Sequence, residues 1–343
     1  MVIPTFKRAH LIGYVFEALT KQTYKDFEVL VILKPSGDKT ENIVKNYEKL
    51  LKMKLIFQNR GYFVDALNLG LKHAKGDIIA FLDDDVIPFP DWVQRHIETY
   101  EKSDIGGVAG NVIPATLKEA KSLSIKDEAS EIIPNLRPFL DSIGRNVWDS
   151  PLEGLENYLV YVSKAGVVEY NYKISHLAWR QITKSLLGMG ANMSVLAEAV
   201  KGFGFPSSWI RGLTNEQFLG WHIWKRGYDL VFNPNARVYH LVGHQTLSRK
   251  IKDTRNETLR WIEYELLFYR LYGIEPGLST MHRITWLIFS TLVDLKKICK
   301  DKDLHRIIRL KGRFLGNLIG VKWLLCRKLG LSYDPLRDLQ HVI

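Results

Sequence analysis

Short apolar runs alternate along the chain with stretches whose apolar residues recur every three or four positions. Val2-Ile3 is the first run, and Leu11, Val15, Ala18 and Leu19 follow at helical spacing. Phe27 to Leu33 reads as a strand, closed by the turn-forming residues Lys34-Pro35-Ser36-Gly37-Asp38. Ile43, Val44, Tyr47, Leu50 and Leu51 mark a second helix face, Leu55-Ile56-Phe57 a third strand, and Ala66, Leu67, Gly70 and Leu71 a third helix. Ile78 to Leu82 is a continuous apolar run, as expected of a strand buried on both faces, and it drives into Asp83-Asp84-Asp85. A helix is expected to start near Pro90, and Ile105 to Gly110 reads as one more strand. This alternation predicts an α/β fold: a mostly parallel central sheet with helices on both faces. In such sheets ligands bind beyond the carboxyl ends of the strands. Lys34, Asn59 and the three aspartates all fall there.

The pattern then loosens. Residues 115–185 carry many acids, prolines and aromatics, and no elements can be placed among them. In Leu187-Gly188-Met189-Gly190-Ala191-Asn192-Met193-Ser194 the two glycines suit either an ordinary turn or backbone close to a ligand. Thr214-Asn215-Glu216-Gln217 opens a helix, with Thr214 and Gln217 spaced for a capping box and Glu216 favoured by the helix dipole. Asp229 to Phe232 and Arg237 to His240 read as two strands joined by Asn233-Pro234-Asn235. From Asn256 onward the pattern is helical, with apolar segments at Ile284–Val293 and Phe314–Cys326.

The 343 residues suffice for one large or two medium cores, and the composition is that of a globular protein. Two cysteines imply no disulfide framework and suggest a reducing, cytoplasmic compartment. The first residues do not read as a signal peptide, and no apolar run approaches the ~20 residues that span a bilayer. The net charge is +11, and from Met281 to the end there are 13 Lys and Arg against 5 Asp and Glu. Apolar faces flanked by lysine and arginine suit helices lying on an anionic membrane surface, on the cytoplasmic face if the compartment is as expected. They equally suit a helical subdomain whose basic residues are merely solvated. A nucleic-acid-binding protein would interleave basic and aromatic residues around its sheet. The charge sits elsewhere, so no nucleic-acid partner is expected.

Three adjacent carboxylates repel one another, and a hard divalent cation such as Mg²⁺ or Mn²⁺ removes that cost. The alternative is a polar loop whose acids cap the next helix. A nucleotidyltransferase would also hold a metal and a nucleotide, but it calls for a glycine-rich basic loop after the first strand, and Pro4-Thr5-Phe6-Lys7 is not one.

Six segments in order resemble the inverting glycosyltransferases of family 2, whose nucleotide-sugar domain has the GT-A fold. They are Val2 to Arg8; Gln22 to Val29; Asn59-Arg60-Gly61 with Asn68-Leu69-Gly70; Gly76 to Pro88; Gly188 to Ser194; and Asn215-Glu216 through Lys225-Arg226-Gly227-Tyr228 to Val238-Tyr239-His240. The resemblance implies a nucleotide-sugar donor and a divalent cation. Asp83-Asp84-Asp85 resembles the Asp-x-Asp motif, with Asp83 near the donor and Asp83 and Asp85 at the metal, which His240 completes. Pro4, Thr5, Arg8, Lys34, Asp38, Asn68 and Asp84 fall on the donor side; Gly190, Asn192 and Trp209 on the acceptor side. Glu216 takes the place of the general base, where relatives carry aspartate. The acceptor implied is a glycan or a lipid-linked saccharide. One departure stands out: relatives place a uracil-reading carboxylate after the second strand, where this chain has Lys34. A lysine only donates, which favours guanosine or another base unless Asp38 folds back. The expected organisation is a nucleotide-sugar half (1–110), an acceptor half (111–248) and a basic helical C-terminal region (249–343).

Overall fold

The computed structural model describes residues 1–101, 104–122, 150–188, 190–207, 209–241 and 254–341. The chain divides into two compact units. The first takes the described residues within Met1–Ile132, Tyr172–Phe205 and Leu219–Lys250; the second takes those within Ile133–Asn171, Pro206–Phe218 and Ile251–Ile343. The boundary expected at 110 falls inside a strand, Ile105–Ala115.

The first unit is built on one mixed sheet. Its strands are β1 (Val2–Thr5), β2 (Val29–Leu33), β3 (Met53–Phe57), β4 (Ile78–Leu82), β5 (Val86–Pro88) and β6 (Ile105–Ala115). A hairpin of the second unit supplies β7 (Val160–Val162) and β8 (Val168–Tyr170); β9 (Thr183–Lys184), β10 (Asn192–Leu196) and β11 (Asp229–Leu241) return to the sheet. The order is β3-β2-β1-β4-β10-β6-β11-β5, with β9 on β11. The block β3-β2-β1-β4 is parallel, β6 and β11 are parallel to each other, and β10 runs antiparallel between β4 and β6. The expected α/β architecture is therefore present.

The helices α1 (Ile12–Thr20), α2 (Thr40–Tyr47), α3 (Phe63–His73) and α4 (Trp92–Tyr100) follow β1, β2, β3 and β5. Ile3, Val31 and Leu82 of the sheet pack with Ile12, Val15 and Phe16 of α1 and with Trp92 of α4 in one buried cluster. Burying an aliphatic side chain of this size stabilises by roughly 1.5–3 kcal/mol, so this face anchors the strand ends that matter below. Val29–Leu33 is buried at every position, as its unbroken apolar run requires.

Two local expectations are corrected. Asp229–Leu241 is a single strand rather than two, with a register shift against β6 between Asn233 and Arg237. Asn233 Oδ1 accepts from Asn235 N at 2.9 Å, closing a local turn that absorbs Pro234 as a bulge. The capping box at Thr214 does not form. Thr214 has φ +69°, a left-handed conformation costly for a β-branched residue, and its buried hydroxyl has no hydrogen bond.

The second unit carries α8 (Thr254–Leu271), α9 (Thr280–Asp301), α10 (Leu304–Lys328) and α11 (Pro335–Leu339); α5 (Leu117–Ser122), α6 (Ser175–Ala178) and α7 (Asn215–Lys225) precede them in the chain. Gly312, Gly316 and Gly320 of α10 face α8, where an added Cβ would stand 2.4 Å from Trp261, 2.8 Å from Glu265 and 2.1 Å from Tyr269. Only glycine permits this approach. Among the described residues, no helix is long and apolar enough to cross a membrane.

Candidate active site

The acidic turn Asp83-Asp84-Asp85 joins β4 to β5, directly beyond the carboxyl end of a buried central strand. β5 pairs antiparallel with β11, setting His240 opposite Val86, and Leu241 N donates to Asp85 O at 3.0 Å. This register brings a residue 155 positions downstream beside the acids. His240 Nε2 lies 3.5 Å from Asp85 Oδ1, and one ligand atom from each of Asp83, Asp85 and His240 lies within 4.8 Å of the others.

Those three side chains fit a divalent cation. Two carboxylates and an imidazole are a donor set suited to Mn²⁺ and its neighbours. Two ligands on one such ion stand roughly 4 Å apart or less, given bonds of about 2.1 Å, so modest side-chain adjustment closes the set.

Asp84, the middle acid, points elsewhere. Arg8, buried after β1, donates from Nε to Asp84 Oδ1 at 3.0 Å and from Nη2 to Asp85 Oδ2 at 3.2 Å. Burial pushes the Asp84 carboxyl up to about 7, against the pull of the Arg8 guanidinium. Arg8 is thus the counter-charge that lets the turn be buried. Pro4 and Thr5 lie within β1 and are buried; Pro4, lacking an N–H, sits past the end of the ladder to β4, whose one pair is Val2 with Phe81.

Lys34 follows β2 and donates to Gly61 O at 2.8 Å. Its ammonium stands 5.8 Å from the ring centres of both Phe6 and Tyr62, within cation–π range. The neighbouring Gly61 has φ +88°, and a Cβ there would strike the Asp65 carboxylate, which accepts from Tyr62 N at 2.6 Å. Phe6 and Tyr62 were not among the residues expected from sequence; an exposed aromatic beside the first strand was the available signal. Asp38 is engaged by its own loop. Its oxygens accept from Ala9 N, Ser36 Oγ, Thr40 N and Thr40 Oγ1, and these bonds hold its carboxyl below the usual range. Asn68 exchanges two hydrogen bonds with Phe205 backbone, at 2.8 and 2.7 Å, and so pins that loop.

On the acceptor side two of the expected residues are buried. Asn192 is fully buried in β10. Its Oδ1 accepts from Trp92 Nε1 at 2.8 Å and meets His96 Nε2 at 3.1 Å, while Nδ2 donates to Asn111 O and Ala236 O. Its capacity is spent inside the fold. Trp209 is also fully buried, edge-on to Phe218 and beneath the Arg270 guanidinium. It is a core residue of the second unit. Gly190 lies half-buried in the turn before β10.

Glu216 belongs to the second unit and stands half-buried in the first turn of α7. The loop leading to it is tied down by a residue missed from sequence, Glu263 of α8. One Glu263 oxygen accepts from Ile210 N at 2.5 Å and Arg211 N at 2.8 Å, the other from Leu213 N at 3.3 Å. Burial raises the Glu263 carboxyl to about 7 and these amides oppose the rise. An acid between apolar neighbours, Ile262-Glu263-Tyr264, was the one signal available.

The profile of the Glycosyl transferase family 2 matches residues 1–140. A chondroitin synthase of Escherichia coli is 39% identical over 107 residues, covering 30% of this chain and 16% of that protein. The glycosyltransferase AglE of Haloferax volcanii is 32% identical over 117 residues, 33% of this chain and 38% of that protein. The match thus spans well under half of these relatives' lengths. Among solved structures, the mannosyltransferase PcManGT from Pyrobaculum calidifontis, in complex with GDP-Man and Mn²⁺, superposes with TM-score 0.52 at 16% identity, covering 99% of this chain and 82% of that one. GalNAc-T7 with UDP, GalNAc and Mn²⁺ gives TM-score 0.52 at 14% identity, covering 84% and 53%. These likenesses establish a shared fold of the GT-A kind. With the profile match, the sequence relatives and the acidic turn at the end of β4, residues 1–140 form a glycosyltransferase family 2 segment.

Proposed function

We propose that the chain transfers a sugar, with inversion, from a nucleotide-diphosphate donor to a glycan or lipid-linked saccharide. The carrying observation is the convergence of Asp83, Asp85 and His240 at the sheet's ligand-binding end. These three would hold a Mg²⁺ or Mn²⁺ ion. When bound, such an ion neutralises charge on the departing diphosphate. Asp83 would also face the donor, and Arg8 holds the Asp85 carboxylate in place through Nη2. Glu216, by its place in the family pattern, takes the proton from the acceptor hydroxyl, leaving that oxygen free to attack opposite the leaving group. Its station in the first turn of α7 places it where a helix N-terminus favours negative charge.

The donor base we favour is guanine. Lys34 offers N–H donors between Phe6 and Tyr62, which suits a base presenting carbonyl and ring-nitrogen acceptors, and Asp38 is occupied elsewhere. A cytoplasmic location accords with the two free cysteines.

The test has two arms. Melting temperatures with GDP, UDP, ADP and CDP, each with and without Mn²⁺, are expected to rise most for GDP with metal; a shift for UDP alone overturns the base assignment. Glu216→Gln is expected to lose transfer by orders of magnitude while still binding nucleotide. Unchanged transfer removes Glu216 from the chemistry.

A further inference from the structure

The C-terminal helical pair is built inside out. A cluster of charged residues faces the interior: Arg283 donates to Glu265 Oε2, Arg313 donates to Asp294 Oδ2 at 2.9 Å, and Arg306 donates to Asp294 Oδ1 at 2.7 Å, with Asp294, Glu265, Arg283 and Arg313 all buried. Many of its large apolar residues face solvent. On α9, Met281, Ile288 and Leu292 recur at helical spacing, and Met281 is 75% exposed. On α10, Phe314, Leu318 and Leu325 do the same, and Phe314 is 70% exposed. Residues at such intervals share one helix face. The opposite face of α10 is spent on close glycine packing against α8. Isolated exposed apolar residues need no explanation, but two full-length stripes do.

From these observations we infer that the outer faces of α9 and α10 seat on an anionic lipid bilayer, the helices lying in the plane of its headgroups. Charge selects this occupant over a second copy of the chain. Between Leu304 and Tyr333 there are seven lysines and arginines and no aspartate or glutamate. Lys311, Arg327 and Lys328 beside the apolar stripe of α10 are exposed, as are Lys296 and Lys300 on α9. Two copies meeting here would oppose like charges across apolar contact. Anionic headgroups supply the complementary charge while the acyl boundary takes the apolar stripe. The inference rests on the second unit alone and stands apart from the assignment of donor or base.

Flotation of the full chain with vesicles tests it. Binding is expected on phosphatidylcholine mixed with phosphatidylglycerol, with about tenfold less on phosphatidylcholine alone, and weakening as salt rises. Phe314→Glu with Leu318→Glu changes solvent-facing positions, so the melting temperature and nucleotide response are expected to stay as in the parent while vesicle binding is lost. Ile288→Glu with Leu292→Glu provides the same test on α9. Absence of binding to anionic vesicles, or undiminished binding by both variants, overturns the inference. So does a dimer by light scattering that either variant turns into a monomer, because the face would then belong to a second copy.

Discussion

Arg8 Nη2 holds Asp85 Oδ2 at 3.2 Å, while the other oxygen of the same carboxylate stands 3.5 Å from His240 Nε2. One carboxylate is thereby shared between a fixed counter-charge and the cluster with metal-ligand geometry. Arg8→Met removes the counter-charge and leaves two adjacent buried acids. Breaking a buried pair on one side costs about 3–5 kcal/mol, so the metal-free melting temperature is expected to fall by several degrees. Added Mn²⁺ is expected to raise the variant's melting temperature more than the parent's. Equal responses in a thermal-shift titration would show that Arg8 does not serve this turn.

The three proposed ligands differ in weight. Asp85→Asn is expected to abolish metal-dependent nucleotide binding. His240→Ala, which leaves both carboxylates, is expected to weaken Mn²⁺ binding about tenfold, or roughly 1.4 kcal/mol. Calorimetric titration of Mn²⁺ in the presence of GDP reads both. Unaltered affinity in either variant removes that residue from the site.

Glu263 ties the loop before Glu216 through Ile210, Arg211 and Leu213. Glu263→Ala strands these amides, and each buried donor left unpaired costs about 1–3 kcal/mol. Glu263→Gln keeps one acceptor oxygen and the same shape, so it is expected to fold. Its transfer kcat is expected to drop while its nucleotide Kd holds, as befits a residue that positions Glu216 without touching the donor. A kcat equal to the parent's would reduce Glu263 to a structural role.

His96 yields a pH dependence. Its Nδ1 faces Ser194 Oγ at 2.8 Å and its Nε2 faces Asn192 Oδ1 at 3.1 Å, with Trp92 stacked edge-on. Burial holds its pKa down to about 4, against 6.5 when unfolded. The unfolded chain therefore takes up a proton between those values and the folded chain does not. Stability is full above pH 6.5 and declines as pH falls toward 4, by about 3 kcal/mol from this group. Urea midpoints at pH 7 and pH 4.5, compared between the parent and His96→Gln, isolate the contribution. A parent and variant with the same pH slope would refute it.

How much of this was legible beforehand follows from range. β1 to β4 and their helices were readable because each is a local pattern, five apolar residues in a row or a 3.6-residue stripe, and burial follows directly. The acidic turn was readable for the same reason: three charges at a strand end lie in one continuous segment. What depended on pairing was not. Asp229–Leu241 looked like two strands because Pro234 interrupts the pattern, and only its register against β6 shows one strand with a bulge. Asn192 falls in the matched segment Gly188 to Ser194 and Trp209 in none of the six, yet both are buried with partners distant in sequence. A side chain's burial is set by what folds over it, which no local window contains. The C-terminal helices show the same limit. Their amphipathic pattern was plain, but which stripe turned inward was decided by Arg283, Asp294 and Arg313 finding buried partners.

The sequence by itself determined the class of fold, the family match of residues 1–140 and the position of the acidic turn at a strand end, since each is carried by order and local periodicity. Tertiary structure decided that His240 joins Asp83 and Asp85, that Arg8 neutralises the turn from 76 residues away, and that Asp38 is already engaged. Hydrogen bonds and ion pairs act over a few ångströms of space, however many residues of chain separate the groups, so chain order alone does not reveal them.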